Sequence, residues 1–378
     1  MDSKIWLSPP HLNGDEIKYI QQAFDSNWVA PVGRNIDEFE ESIKQTIGGK
    51  NEVVCLSSGT AALHLALIMA GISKGDEVLC QSFTFAAAAN TIIYQRATPI
   101  FIDSEPSTWN MCPAHLETAI KDRIAIGKNP KAILFVNLYG MPAKIDEIIS
   151  IAKKYNLILI EDAAESIGST YKGKSCGTFG DFAIFSFNGN KIITTSGGGA
   201  LICPNLSLKQ KAVFLATQAK DEAPHYQHST IGYNYRMSNI LAGIGRTQIK
   251  VLQQRIQNRR ANHQFYQNLF HNINEVKVLE EPNINFFSNF WLTTIRINEA
   301  YSNFKREALF TKLAEANIES KPLWKPMHLQ PVFQEYPYYG KKVCENLFVT
   351  GLCLPSGSNL SNKDKERIAN TITDYFKI

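Results

Sequence analysis

The sequence predicts an α/β protein built on a mostly parallel sheet, and two patterns carry that prediction. From about residue 53, short apolar runs recur between helix-length segments: EVVCL, EVLCQS, TPIFID, KAILFVNL, NLILIED and DFAIFSF. Strands apolar on both faces, separated by amphipathic helices, suit a sheet covered on both sides. Near residue 237 this alternation gives way to a long helical stretch, MSNILAGIGRTQIKVLQQRIQNRRANHQFYQNLF, and then to mixed short strands and helices. A second, smaller α+β domain is expected there, dividing the chain into 1–254 and 255–378.

The elements follow in chain order. NGDEIKYIQQAF opens a helix in which Asn13 can cap, Glu16 falls at the third helical position, and Ile17, Ile20 and Phe24 share one face. The segment SNWVAPVGRN is turn-rich and aromatic and reads as a loop or linker. Between the apolar runs, TAALHLALIMAG, FAAAANTIIYQ and KIDEIISIAKKY have helical length. Beyond the long helix, FWLTTIRI is a strand, while NFKREALFTKLAEAN and NKDKERIANTITDYFK are helices.

At 378 residues, 44% hydrophobic and 20% charged, the chain is neither disordered nor fibrous. Its net charge of +4 is small, and the basic stretch around Arg255, Arg259 and Arg260 is expected to be a solvated helix face and not a nucleic-acid patch. Seven cysteines, several of them in apolar runs, include no C-x-x-C pair, which suits buried free thiols in a reducing compartment. The start MDSKIWLSPP lacks an apolar signal core, and no uncharged apolar run nears the roughly 20 residues that span a bilayer. A cytoplasmic protein without membrane or nucleic-acid partners is expected.

In open parallel sheets ligands gather at the carboxyl ends of strands. Three such places carry unusual chemistry. In LSSGTAALHLAL a strand ends in Ser-Ser-Gly-Thr and a helix begins at once, which suits either an anion at the helix start or a simple cap. In NLILIEDAAES an apolar strand ends in acids, with Glu165 one helical turn after Asp162 if a helix starts there. Such acids can cap a helix, bind a metal or hold a cationic ring nitrogen. No histidines lie near enough in sequence to favour a metal, since His225 and His228 fall in a polar loop.

The third place is FNGNKIITTSGGG, where Lys191 follows the run DFAIFSF as either a turn residue or a nucleophile. The glycines follow this lysine, so a Gly-x-x-x-x-Gly-Lys phosphate loop is excluded, and no G-x-G-x-x-G fingerprint is present. Together the three places fit pyridoxal phosphate, which needs a lysine, an acid at its ring nitrogen and an anion site for its phosphate. Lys191, Asp162 and the turn from Ser57 to Thr60 supply these, and Phe85 in QSFTFAAAA can stack on the ring.

At these residues the sequence resembles the DegT/DnrJ/StrS nucleotide-sugar aminotransferases. The matching stretches are SSGTAALHLAL, SFTFAAAAN, EDAAESIGSTYKGKSCGTFGDFAIFSFNGNKIITTSGGGAL and GYNYRMSN, while LSPPH, KPLWKPMH and CLPSG look like the 4-aminotransferases of the bacillosamine pathway. The resemblance implies fold type I: a mostly parallel seven-stranded sheet sandwiched by helices, plus the smaller C-terminal domain.

It further implies that Lys191 attaches the cofactor as a Schiff base and then shuttles a proton, while Asp162 holds the ring nitrogen. Gly59 and Thr60 would offer backbone N–H groups to the phosphate and Ser186 a hydroxyl, with Ser58 and Asn188 also at the cofactor. Asn234 would reach the cofactor of a neighbouring subunit, making a homodimer with shared sites. Glu165 stands where family members commonly carry histidine or glutamine, and would approach the cofactor's 3-hydroxyl region. Trp28, Arg236, Trp324 and His328 would contact substrate, and no metal is implied. The implied reaction moves an amino group from L-glutamate to C4 of UDP-2-acetamido-2,6-dideoxy-4-ketoglucose. A 3- or 4-aminotransferase acting on a dTDP- or GDP-linked keto-deoxysugar is the alternative. A sugar 3-dehydratase of the same fold would have histidine in place of Lys191.

Overall fold

The computed structural model describes residues 3–298 and 304–377. At its centre lies an eight-stranded sheet in the order Glu52–Leu56, Gly199–Cys203, Phe182–Ser186, Ile158–Asp162, Pro130–Val136, Glu77–Gln81, Thr98–Ile102 and Tyr338–Tyr339. Neighbours pair in parallel except at Gly199–Cys203, which runs antiparallel to both strands beside it. All six apolar runs read from the sequence are strands of this sheet. Gly199–Cys203 joins them as a seventh, and the two-residue strand Tyr338–Tyr339, paired with Thr98–Ile102 at the edge, makes the sheet one strand wider than expected.

The runs lack alternation because both faces are covered. The helix Gly59–Met69 is apolar on nearly every side and is buried along almost its whole length. Ile145–Lys154 instead buries one stripe, through Ile145, Ile148 and Ala152. The long helical stretch is realised as Asn239–Gln248, a short 3-10 turn at Ile249–Val251, and Leu252–Phe270.

A second core gathers Tyr266, Phe270, Leu309, Leu313, Ile368 and Ile372 around a four-stranded antiparallel sheet. That sheet runs in the order Val276–Val278, Thr293–Ile297, Gly351–Leu354, Lys321–Pro322. Ile5 from the chain start bridges to Ile318 and is buried in the same core. We propose that this core is the smaller domain, starting within Leu252–Phe270, with the Ile5 segment added to it. The predicted helix beginning at Asn303 is found at Arg306–Glu315, and Asn303 itself lies outside the described residues. Asp103, just past Thr98–Ile102, joins the two parts: its carboxylate accepts the N–H groups of Lys341, Val343 and Cys344 at 2.9, 3.0 and 2.9 Å.

Two expectations are corrected. The first helix spans Glu16–Asp25 with Asp15, not Asn13, at its N-cap, and Glu16 is its first residue. The Glu16 carboxylate turns back to the N–H groups of Asn13 and Gly14, both at 2.9 Å, and accepts from Gln248 at 2.7 Å. Ile17 and Phe24 on this helix are exposed, so the apolar face is not covered within the chain. The basic stretch is no solvated face either. Arg255 and Arg259 are buried, because they turn inward to bind His11, Leu12, Ser8 and Trp291. Only Arg260 remains half-buried, paired with Glu281.

Candidate active site

The strands Glu52–Leu56, Glu77–Gln81, Ile158–Asp162 and Phe182–Ser186 all end at one edge of the sheet, and Gly199–Cys203 begins there. A cavity of about 740 Å³ opens on this edge. The topology thus gathers residues that are far apart in sequence, as ligand sites in parallel sheets require.

At one end, Ser58 caps the helix Gly59–Met69, its hydroxyl accepting the Ala61 N–H at 3.0 Å. The N–H groups of Gly59 and Thr60 precede the first intrahelical bond and face an end that favours anions. Side chains are excluded where this turn packs. A Cβ on Gly59 would lie 3.0 Å from Ser186 Cβ, and one on Gly199 would lie 2.5 Å from Gly59 N. Gly199, the last of the three glycines after Lys191, therefore lets its backbone press against the anion turn.

On the floor, Lys191 Nζ donates to Glu165 Oε1 at 3.1 Å and lies 4.1 Å from the centroid of the Trp291 ring. The second Glu165 oxygen accepts the Tyr139 N–H at 2.7 Å. No helix starts at Asp162: residues 163–168 form successive turns, and these bring Glu165 to the lysine. Asp162 is buried and accepts the Ala164 N–H at 3.1 Å. Burial pushes its carboxyl up to about 7; the Glu165 and Glu161 charges add to this, while the Ala164 N–H and Lys191 oppose it. Burial raises Glu165 as well, against the pull of Lys191 and the Tyr139 N–H.

The outer wall is aromatic. Trp324 packs against Phe85 and Tyr139, with centroids 5.6 and 5.3 Å apart, and its backbone N–H donates to Tyr139 Oη at 3.1 Å. Asn188 also lines the cavity. Thr84 Oγ1 is buried at the wall without a hydrogen-bond partner among the described residues. An anion turn, a buried acid, a lysine and an unsatisfied hydroxyl facing one space fit pyridoxal phosphate.

Four expected residues lie elsewhere. Arg236 is tied below the site, its guanidinium donating to Glu40 Oε1 at 2.6 Å and the Cys55 carbonyl at 3.1 Å. His328 is stacked on Tyr338 at 3.7 Å and hydrogen-bonded to Ser82 Oγ at 2.7 Å, so its ring is committed to packing. Asn234 and Trp28 are exposed outside the cavity. No group of three or more metal-ligating side chains occurs among the described residues. Also among them, no helix is long and apolar enough to cross a membrane, and every cysteine is a free thiol.

Residues not foreseen from the sequence are Ser8, Thr84, Tyr139 and Trp291. Thr84 was legible, since it follows a strand beside Phe85. Tyr139 and Trp291 carried no signal, because their relation to Glu165 and Lys191, respectively, exists only after the chain has folded.

A model of the DegT/DnrJ/EryC1/StrS aminotransferase family matches residues 10–373. EpsN of Bacillus subtilis (strain 168), provisionally named a pyridoxal phosphate-dependent aminotransferase, is 49% identical over 100% of this chain and 97% of its own. A GDP-perosamine synthase from Caulobacter vibrioides is 37% identical over 97% of this chain and 96% of its own. A UDP-4-amino-4,6-dideoxy-N-acetyl-beta-L-altrosamine transaminase from Campylobacter jejuni is 33% identical over 90% of this chain and 89% of its own. The crystal structure of a DegT DnrJ EryC1 StrS aminotransferase from Brucella abortus superposes with a TM-score of 0.88 at 30% identity, covering 95% of each chain. The chain belongs to the DegT/DnrJ/EryC1/StrS family and is a pyridoxal-phosphate-dependent nucleotide-sugar aminotransferase of fold type I.

Proposed function

We propose that the enzyme transfers the amino group of L-glutamate to C4 of UDP-2-acetamido-2,6-dideoxy-4-ketoglucose, working as a homodimer. The observation that carries the amination is Lys191 held 3.1 Å from Glu165 on the cavity floor, with Asp162 buried beside them. Pyridoxal phosphate, when bound, supplies the electron sink for negative charge at the carbon that loses a proton. Asp162 as a carboxylate holds positive charge at the ring nitrogen. Lys191 Nζ takes the proton from the donor's carbon and returns one to the acceptor side. Glu165 keeps that amine directed into the cavity, while Gly59, Thr60 and Ser186 bind the phosphate.

The outer cavity suits a nucleotide sugar. Trp324 and Phe85 offer flat apolar faces, and Lys321 and Lys325 bring cations suited to a diphosphate. The dimer reading rests on exposed apolar groups at Ile17, Phe24, Trp28, Val29 and Val32, which the chain leaves uncovered. On this reading Asn234 and Trp28 serve a neighbouring subunit's cavity.

The test incubates the loaded enzyme with L-glutamate and the UDP-linked ketosugar, with the product identified by mass and NMR. An amine at C4 is expected, and its absence overturns the substrate assignment. The likeness to GDP-perosamine synthase favours a second reading, a GDP-linked ketosugar, and the same assay with that sugar decides between them.

A further inference from the structure

Residues 288–291, from the part of the chain beyond 255, hold both members of the Lys191–Glu165 pair. Asn289 Nδ2 donates to the Glu165 carbonyl at 2.9 Å and to the Ile167 carbonyl at 3.0 Å. Two residues later, Trp291 Nε1 donates to the Asn190 carbonyl at 2.8 Å, immediately before the lysine. That carbonyl also accepts from Ser8 Oγ at 2.6 Å, so both its lone pairs are taken by distant segments. The Trp291 ring face lies 4.1 Å from Lys191 Nζ.

The brace is itself built in. Arg259 is buried, donates to the Trp291 carbonyl and, at 3.0 Å, to Ser8 Oγ, and has no carboxylate partner among the described residues. Its guanidinium therefore serves the two groups that grip Asn190. Between Asn289 and Trp291, Phe290 has φ +44, a left-handed backbone unusual for an aromatic residue. It is kept there by His263, stacked at 3.6 Å. A strained residue held by surrounding contacts beside a reactive group is a built feature.

We propose that Trp291 is a positioning residue for Lys191: its N–H fixes the Asn190 turn, its ring face holds the amine, and Arg259 and Ser8 lock it there. The inference rests on Lys191 being the cofactor lysine. The test follows cofactor-free protein as it takes up pyridoxal phosphate, recording the rise of the visible absorbance of the lysine-bound cofactor. Trp291→Leu removes ring and N–H together. The amine reacts in its neutral form, so what is lost is its placement, and attachment should slow about five- to thirty-fold, with kcat reduced and KM for glutamate little changed. Trp291→Phe keeps a ring face but loses the N–H, so its attachment rate should fall between those of Trp291→Leu and the parent.

A Trp291→Leu protein that attaches the cofactor at the wild-type rate overturns the proposal, as does a Trp291→Phe protein just as slow. If Trp291→Leu does not fold, Ser8→Ala, Trp291→Phe and their double variant carry the test. Both donors grip one carbonyl, so the double variant should lose more than the product of the single losses, and wild-type rates in all three overturn the idea. Failure of every variant and of the parent to develop the absorbance would instead refute the role of Lys191.

Discussion

Glu165 binds Lys191 through one carboxylate oxygen at 3.1 Å and the Tyr139 N–H through the other at 2.7 Å. A single buried acid thus fixes the lysine against a backbone whose Tyr139 and Gly140 are both left-handed, with φ of +56 and +92. The two side chains are nearly closed to solvent, so the pair lies where removing one partner strands the other charge. Glu165→Ala should destabilise the cofactor-free protein by about 3–5 kcal/mol, measured by denaturant unfolding. Glu165→Gln, which keeps one of the two acceptor oxygens and the side-chain volume, should lose less than Glu165→Ala.

Lys191→Ala should lower formation of amine product by at least about 10²-fold, the lower end of what a positioned proton-transfer group contributes. The same variant should retain no cofactor after borohydride reduction and denaturation, whereas the parent retains it covalently. Near-parent turnover in the variant would remove Lys191 from the mechanism.

The sheet was legible because each strand buries both faces and so reads as an unbroken apolar run. Tyr338–Tyr339 escaped notice because two residues pairing with Thr98–Ile102 leave no periodic trace. The candidate residues Ser58, Asp162 and Lys191 could be singled out because each lies at the end of an apolar run or a few residues past it, and the sheet's topology brings those ends together. Arg236 and His328 look like substrate groups by residue type. Their partners Glu40 and Tyr338 come from segments whose proximity no local pattern encodes. The buried Arg255 and Arg259 show the same limit, since a helix face rich in arginine reads as solvated until His11, Ser8 and Trp291 arrive against it.

Gly199 tests the packing of the anion turn. A Cβ there would lie 2.5 Å from Gly59 N and 2.6 Å from the Ser58 carbonyl oxygen, all backbone atoms with no rotamer to yield. Gly199→Ala should cost about 1–3 kcal/mol of stability, typical of overpacking. It should also weaken pyridoxal phosphate binding more than Gly197→Ala, because a Cβ on Gly197 meets nothing within 4 Å. Fluorescence titration of both variants gives the comparison.

Asp162 makes the stability of the cofactor-free enzyme depend on pH with a definite sign. Its carboxyl is raised from 3.8 to about 7 in the folded state, chiefly by burial, so between those values the folded protein holds a proton that the unfolded chain has lost. The stability from that proton is fully present below the unfolded value and is lost as pH rises through about 7. Asp162→Asn cannot ionise and escapes the loss. At about 1.4 kcal/mol per unit, the variant should gain on the parent by about 2–3 kcal/mol between pH 5 and pH 8 in paired unfolding curves. Pyridoxal phosphate places a cationic ring nitrogen against the carboxylate and favours its charged form, so saturating the parent with cofactor should flatten its pH dependence. Parallel curves for variant and parent without cofactor would mean that Asp162 is already ionised in the empty site.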